Sequence, residues 1–156
     1  MPHIHEKIDF TAEVFVVYGN KVLLRKHDKY KIWLSVGGHI ELNEDPNQAA
    51  IREVKEEVGL NITLSGKIPK FREEGDDYKE LIPPISMNRH RINPTHEHIT
   101  LVFFAKSDTD RIKTSKEEVS EECKWFNKAE IDSGSYEIKE SIKYYAKMAL
   151  ERINSQ

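Results

Sequence analysis

The stretch "DPNQAAIREVKEEVG", residues 45–59, commits this chain to a helix more firmly than any other part of it. Asp45 is a capping residue, Pro46 suits the first helical position, Gln48 completes a capping box, and Gly59 supplies the stop. The spacing predicts a helix over Pro46 to Val58, about 20 Å long at about 1.5 Å per residue. Glu53, Glu56 and Glu57 then fall within an arc of about 100°, beside an apolar arc of Ala50, Ile51, Val54 and Val58. Like charges three and four residues apart each cost a helix about 0.2–0.5 kcal/mol, and carboxylates near its C-terminal end also oppose its dipole. Lys55 points away from the cluster, and Arg52 brings one positive charge against three negative ones. Such a face is either solvated or completed by a cation from outside, and Mg²⁺ is the hard divalent ion that suits carboxylate oxygens.

The rest of the chain must supply what this helix packs on. "FTAEVFVVYGNKVLLRKH" reads as two strands joined by a tight turn at Gly19-Asn20. "KIWLSVGGHIEL" is a further β-prone stretch whose Gly37-Gly38 pair marks a bend or a close backbone approach. Beyond the helix come short β-prone pieces, "NITLSGKI" and "KELIPPISM", around a charged loop or hairpin tip, "KFREEGDDYKE". "HITLVFFAKS" is a strong buried strand and "ECKWFN" a shorter one, while "KAEIDSGSYEIKESIKYYAKMALERI" reads as a helical end. A mixed α/β fold follows, with helices covering a mixed sheet.

At 156 residues a single domain, 1–156, is expected. A formal net charge of −3 gives no overall field toward nucleic acid or anionic membrane. No run reaches the length of a membrane span, and the one cysteine, Cys123, excludes an internal disulfide and fits a reducing compartment, so a cytoplasmic location is expected.

Gly38, Glu44, Arg52, Glu53, Val54, Glu56, Glu57, Gly59 and Leu60 together satisfy G-x5-E-x7-R-E-U-x-E-E-x-G-U, with U a bulky aliphatic residue. A chance match at one start is on the order of one in a billion at average residue frequencies. This is the Nudix box, and the chain resembles the Nudix hydrolases. The resemblance implies an α/β/α sandwich with a mixed β-sheet, and a box folded as loop, helix and loop. It implies metal-dependent hydrolysis of a diphosphate linkage in a nucleoside diphosphate joined to another group, with water as the nucleophile and Mg²⁺, or Mn²⁺, as cofactor. By the same resemblance Glu53, Glu56 and Glu57 face the metal, Gly38 lends it a carbonyl, Glu53 and Glu57 serve catalysis, and Arg52 orients Glu53. Glu44 either contacts metal, directly or through water, or is a plain helix-entry acid. A further carboxylate from outside the box has Glu97, Glu117 and Glu118 as candidates. A fold kept for sensing nucleotides or sugar nucleotides without turnover is the alternative, although such relatives usually lose box carboxylates and this box keeps them all.

Substrate contacts are more open. His39 follows the glycines and is either a phosphate contact or a strand residue. "NRHRINPTHEH" is the most cationic patch, where Arg89 or Arg91 can fork onto a phosphate; the competing reading is a solvated loop. The histidines there and in the "HIH" near the start show no zinc-ligand spacing. Tyr78 is a candidate platform for a base, with Tyr18, Trp33, Phe71 and Phe104 as others. The family commonly carries proline where this chain has Val36, which bears on loop shape rather than on ligands. The expected partner is a small nucleotide, with no nucleic acid or membrane; a homodimer stays open.

Overall fold

The structure, a computed structural model, describes residues 6–69, 71, 73–114 and 122–156. In chain order its elements are β1 (Ile8–Tyr18), β2 (Lys21–Lys26), β3 (Trp33–Leu34), β4 (Val36–His39), α1 (Pro46–Val58), β5 (Ile62–Leu64), β6 (Ser86–Asn93), β7 (His96–Ser107), β8 (Cys123–Phe126), α2 (Lys128–Asp132) and α3 (Glu140–Asn154).

β1 and β7 form the spine of the sheet. They run parallel, from Ile8 opposite Glu97 to Val17 opposite Lys106. Each divides its outer edge between two shorter antiparallel strands: β1 between β4 and β2, β7 between β6 and β5. β3 and β8 flank β2, so the sheet is mixed and eight-stranded. The β1–β2 connection is the two-residue turn expected at Gly19-Asn20, with Tyr18 opposite Lys21 and Gly19 at φ 59°.

Period-two alternation sends the spine's side chains to two cores. Ala12, Val14, Val16, Leu101 and Phe103 pack on Ala49, Ala50, Val54 and Val58 of α1. Phe15, Val17, Val102 and Phe104 pack on Ile142, Ala146, Ala149 and Ile153 of α3. Each buried valine, leucine, isoleucine or phenylalanine among them contributes roughly 1.5–3 kcal/mol, upper values that hold both layers to the sheet. The result is the expected α/β/α sandwich.

α1 has its predicted bounds, with both capping-box hydrogen bonds made between Asp45 and Gln48 and Gly59 left-handed at φ 70°. Its faces differ from the expectation. Ile51 is exposed, Ala49 takes its place in the core, and Glu53 lies inside the sheet-facing arc rather than beside it. The helical end is two helices, because Gly134 at φ 75° turns the chain between them and Ile138 bridges to Trp33 before α3 begins. "NRHRINPTHEH" is not a loop but the β6–β7 hairpin. Its polar sequence hid a strand with solvent on much of both faces. "KELIPPISM" is largely non-strand, with β6 beginning only at Ser86.

Candidate active site

The Gly-Gly pair lies in β4, where it lets two surfaces come close. A Cβ on Gly37 would sit 2.1 Å from the carbonyl oxygen of Ala12 in β1, and one on Gly38 only 2.4 Å from Glu53 Oε1. Gly38 therefore faces the carboxylate that α1 buries against the sheet, Glu53 being 4% exposed. Removing a carboxylate from water is costly without a partner, and here the partner is Arg52. Its NH1 donates to Glu53 Oε1 at 2.9 Å and to Glu56 Oε2 at 3.1 Å. Its Nε and NH2 fork onto Glu44 at 2.9 and 2.6 Å, and NH2 also donates to the His39 carbonyl at 3.0 Å.

One guanidinium thus ties the entry loop, α1 and the end of β4 together, a geometry that lysine cannot reproduce. The Arg52 bond also lowers the pKa of Glu44, and Glu44 in turn raises that of Arg52. Glu44 braces Arg52 and, through its Oε1, accepts from the Glu41 backbone N–H at 3.0 Å. Glu57, largely buried, lies 3.2 Å from Arg25 Nε of β2, a partner that no local sequence pattern announces. Glu56 is the exposed member of the three.

The three box glutamates are turned toward Arg52 and Arg25 rather than gathered on one point. Glu53 and Glu56 share one Arg52 nitrogen, while Glu57 is drawn to Arg25. Their oxygen donors, the close approach of Gly38 and the burial of Glu53 nonetheless fit a hard divalent ion, which favours carboxylate and carbonyl oxygen.

The other face of the sheet is polar at the same end. In β1 the residues Asp9, Thr11 and Glu13 point to the α3 side, and in β7 so do His96, His98 and Thr100. Thr11 and Thr100 share a hydrogen bond of 2.7 Å. Ser35 donates to Glu13 at 2.7 Å, while burial raises the Glu13 pKa. Asp9 is fully buried, with His39 Nε2 at 3.3 Å and His96 Nε2 at 3.1 Å from its Oδ2. Burial, then the charges of His39, His90 and His96, push His98 down to about 4.

Among the described residues, Asp9, His39 and His98 are the group whose donor atoms all lie within 4.8 Å of one another. The zinc spacing sought along the sequence was absent because this set is drawn from three strands. Polar residues at period two in both spine strands were the signal that could have revealed it.

The remaining candidates are placed as follows. Arg89 and Glu97 are committed to each other by two hydrogen bonds of 2.8 and 3.0 Å. Arg91 is exposed on β6 opposite Glu97. Tyr78 donates to Glu80 at 3.2 Å and lies against the exposed ring of Phe71, centroids 6.1 Å apart. Tyr18 is partly exposed, whereas Trp33 and Phe104 are core residues, the second fully buried, which removes them as base platforms. Glu117 and Glu118 lie outside the described residues.

The NUDIX domain family model matches residues 9–147, and the chain belongs to the NUDIX family. A solved "hydrolase, NUDIX family" from Clostridium perfringens is 36% identical, covers 93% of this chain and 97% of its own, and superposes with a TM-score of 0.81. A MutT NUDIX hydrolase of Burkholderia pseudomallei shares the fold at a TM-score of 0.62, 18% identical over 95% of this chain and 99% of its own. A Bacillus subtilis (strain 168) protein named "Putative 8-oxo-dGTP diphosphatase" is 37% identical over 73 residues, 42% of this chain and 49% of that protein. The match thus spans about half the length of that curated relative.

Proposed function

We propose that the chain is a divalent-metal-dependent nucleotide pyrophosphohydrolase, which cleaves a diphosphate linkage in a nucleoside diphosphate joined to another group, with water as the nucleophile. The observation that carries this reading is the approach of Gly38 to the buried Glu53, held by Arg52, inside a NUDIX domain. Glu53, Glu56, Glu57 and the Gly38 carbonyl would hold Mg²⁺ or Mn²⁺. When bound, such an ion polarises phosphate oxygens and makes water more acidic.

The chain's own residues do the rest. Arg52 fixes the Glu53 carboxylate through Oε1, so Oε2 is the atom that takes the proton of the attacking water. Arg25 plays the matching part for Glu57, and Glu44 keeps Arg52 in place. Glu56, exposed at the mouth, is free to turn from Arg52 as substrate and ion arrive. Arg91 is a candidate substrate contact, and Arg89 and Glu97 would have to release each other to take part; His39, buried against Asp9 on the other face of the sheet, is a strand residue rather than a phosphate contact. Tyr78, beside the exposed Phe71, is the candidate base platform.

The test is a panel of nucleoside triphosphates, nucleotide sugars and dinucleoside polyphosphates with Mg²⁺ or Mn²⁺. The Bacillus relative's name puts 8-oxo-dGTP in that panel. Turnover lost in Glu53→Gln and Glu57→Gln, with an unchanged circular dichroism spectrum, supports the reading. No turnover of any compound by the wild type with either ion would replace it with a binding role.

A further inference from the structure

We propose that Asp9, His39 and His98 form a second metal site, for a borderline transition ion of the Zn²⁺ class, separate from the carboxylate set on α1. The donors come from three adjacent strands. Asp9 and His98 are opposite one another in the β1–β7 pair, and His39 is opposite Thr11 in the β1–β4 pair. Residues 9 and 11 share a face of β1, so the pleat places all three side chains on the α3 side of the sheet.

The distances suit a small ion. A tetrahedral centre with ligands at about 2.0–2.1 Å holds them about 3.3 Å apart. The Asp9–His39 pair is already at 3.3 Å, and no donor pair in the set exceeds 4.8 Å. The longest would contract by about 1.5 Å, within the reach of side-chain rotation. His96 flanks the set on the Asp9 side. Its Nδ1 lies 3.1 Å from the Glu6 carbonyl, which selects the Nδ1–H tautomer and turns Nε2 toward Asp9 Oδ2 at 3.1 Å. His96 Nε2 thus abuts Asp9 without belonging to the three-donor set.

Ligand chemistry separates the two sites. Two imidazole nitrogens with one carboxylate favour Zn²⁺ or Co²⁺, whereas Mg²⁺ prefers oxygen alone. The sites stand back to back on β4, where Gly38 faces Glu53 and the next residue, His39, faces Asp9. The His39 carbonyl also accepts from Arg52. An ion here would pin β4 to β1 and β7 and so steady the strand that presents Gly38.

The test uses tag-free full-length protein, stripped with a chelator and then given Co²⁺ or Zn²⁺ in excess Mg²⁺. Expected are one equivalent of Zn²⁺ retained through dialysis, visible ligand-field bands with Co²⁺ that Zn²⁺ bleaches, and a melting temperature raised by Zn²⁺. His39→Gln and His98→Gln should each weaken binding by at least about 10-fold and remove the thermal shift, while Glu53→Gln keeps all three signals. His3→Gln/His5→Gln controls for the histidines near the chain start. The proposal falls if wild type retains no Zn²⁺, if both His39→Gln and His98→Gln bind as wild type does, or if binding is lost only with Glu53 or with the His3/His5 pair.

Discussion

Two adjacent residues of β4 look in opposite directions, and the regions they face are built on different terms. On the Gly38 side, the four carboxylates of Glu44, Glu53, Glu56 and Glu57 lie against the two guanidinium groups of Arg52 and Arg25, so oxygen and negative charge outnumber the positive charge beside them. On the His39 side, one buried aspartate is ringed by imidazoles. The first region comes mainly from one continuous stretch of chain, the second from strands far apart in sequence. A site's charge balance and its locality are thus independent properties, since one thin strand serves both.

The comparison breaks most visibly at Glu53. Glu53→Gln should lower turnover by about 10²–10⁴-fold, the usual range for losing a positioned base, with the melting temperature little changed. An equal loss of turnover from His98→Gln would show that the two faces do not divide the work. Next come the glycines. Gly37→Ala drives a Cβ into the Ala12 backbone carbonyl, which has nowhere to go, so urea denaturation should show a loss of about 3 kcal/mol. Gly38→Ala presses instead on the end of the Glu53 side chain, and should cost activity more than stability.

Arg52→Lys keeps the charge but loses the fork, and kcat should fall by about 10²-fold through a displaced Glu53, with KM nearly constant. His98 sharpens the other side. In chelator-treated protein its imidazole should titrate with a midpoint near 4 in an NMR series, against about 6.5 for the unfolded chain. The unfolded residue then takes up its proton first, so His98 withdraws stability as pH falls from about 6.5 toward 4, and contributes no such loss above that window. A midpoint near the ordinary histidine value would show that water reaches this ring freely. The smallest effect belongs to Arg89→Ala, whose exposed pair with Glu97 should leave the urea midpoint where it was.

What could be read from the sequence follows the same division. The bounds of α1 were legible because Asp45, Pro46, Gln48 and Gly59 act on neighbours a few residues away. The close approach at Gly37-Gly38 was legible because only a glycine pair tolerates it. The exposure of Ile51 was not legible, because helical phase alone does not say where the sheet begins, and Ala49 and Glu53 lie on the inner side of α1 instead. Arg25 reaches Glu57 of α1 from β2, and Asp9 meets His39 and His98 only after β1, β4 and β7 have paired. No local pattern encodes those meetings, although Asp9, Thr11 and Glu13 alternating in an otherwise apolar run mark a sheet face that is not all core.

The parallel pairing of β1 with β7 has a kinetic side. Thr11 and Thr100 are 89 residues apart, and joining such distant segments costs about 4 kcal/mol of loop-closure entropy before any contact repays it. Folding should accordingly be slow for a domain of this size. On the ribosome, β1, rich in valine and phenylalanine, waits with one edge open until residues 96–107 have emerged, which leaves it in need of protection from other chains meanwhile.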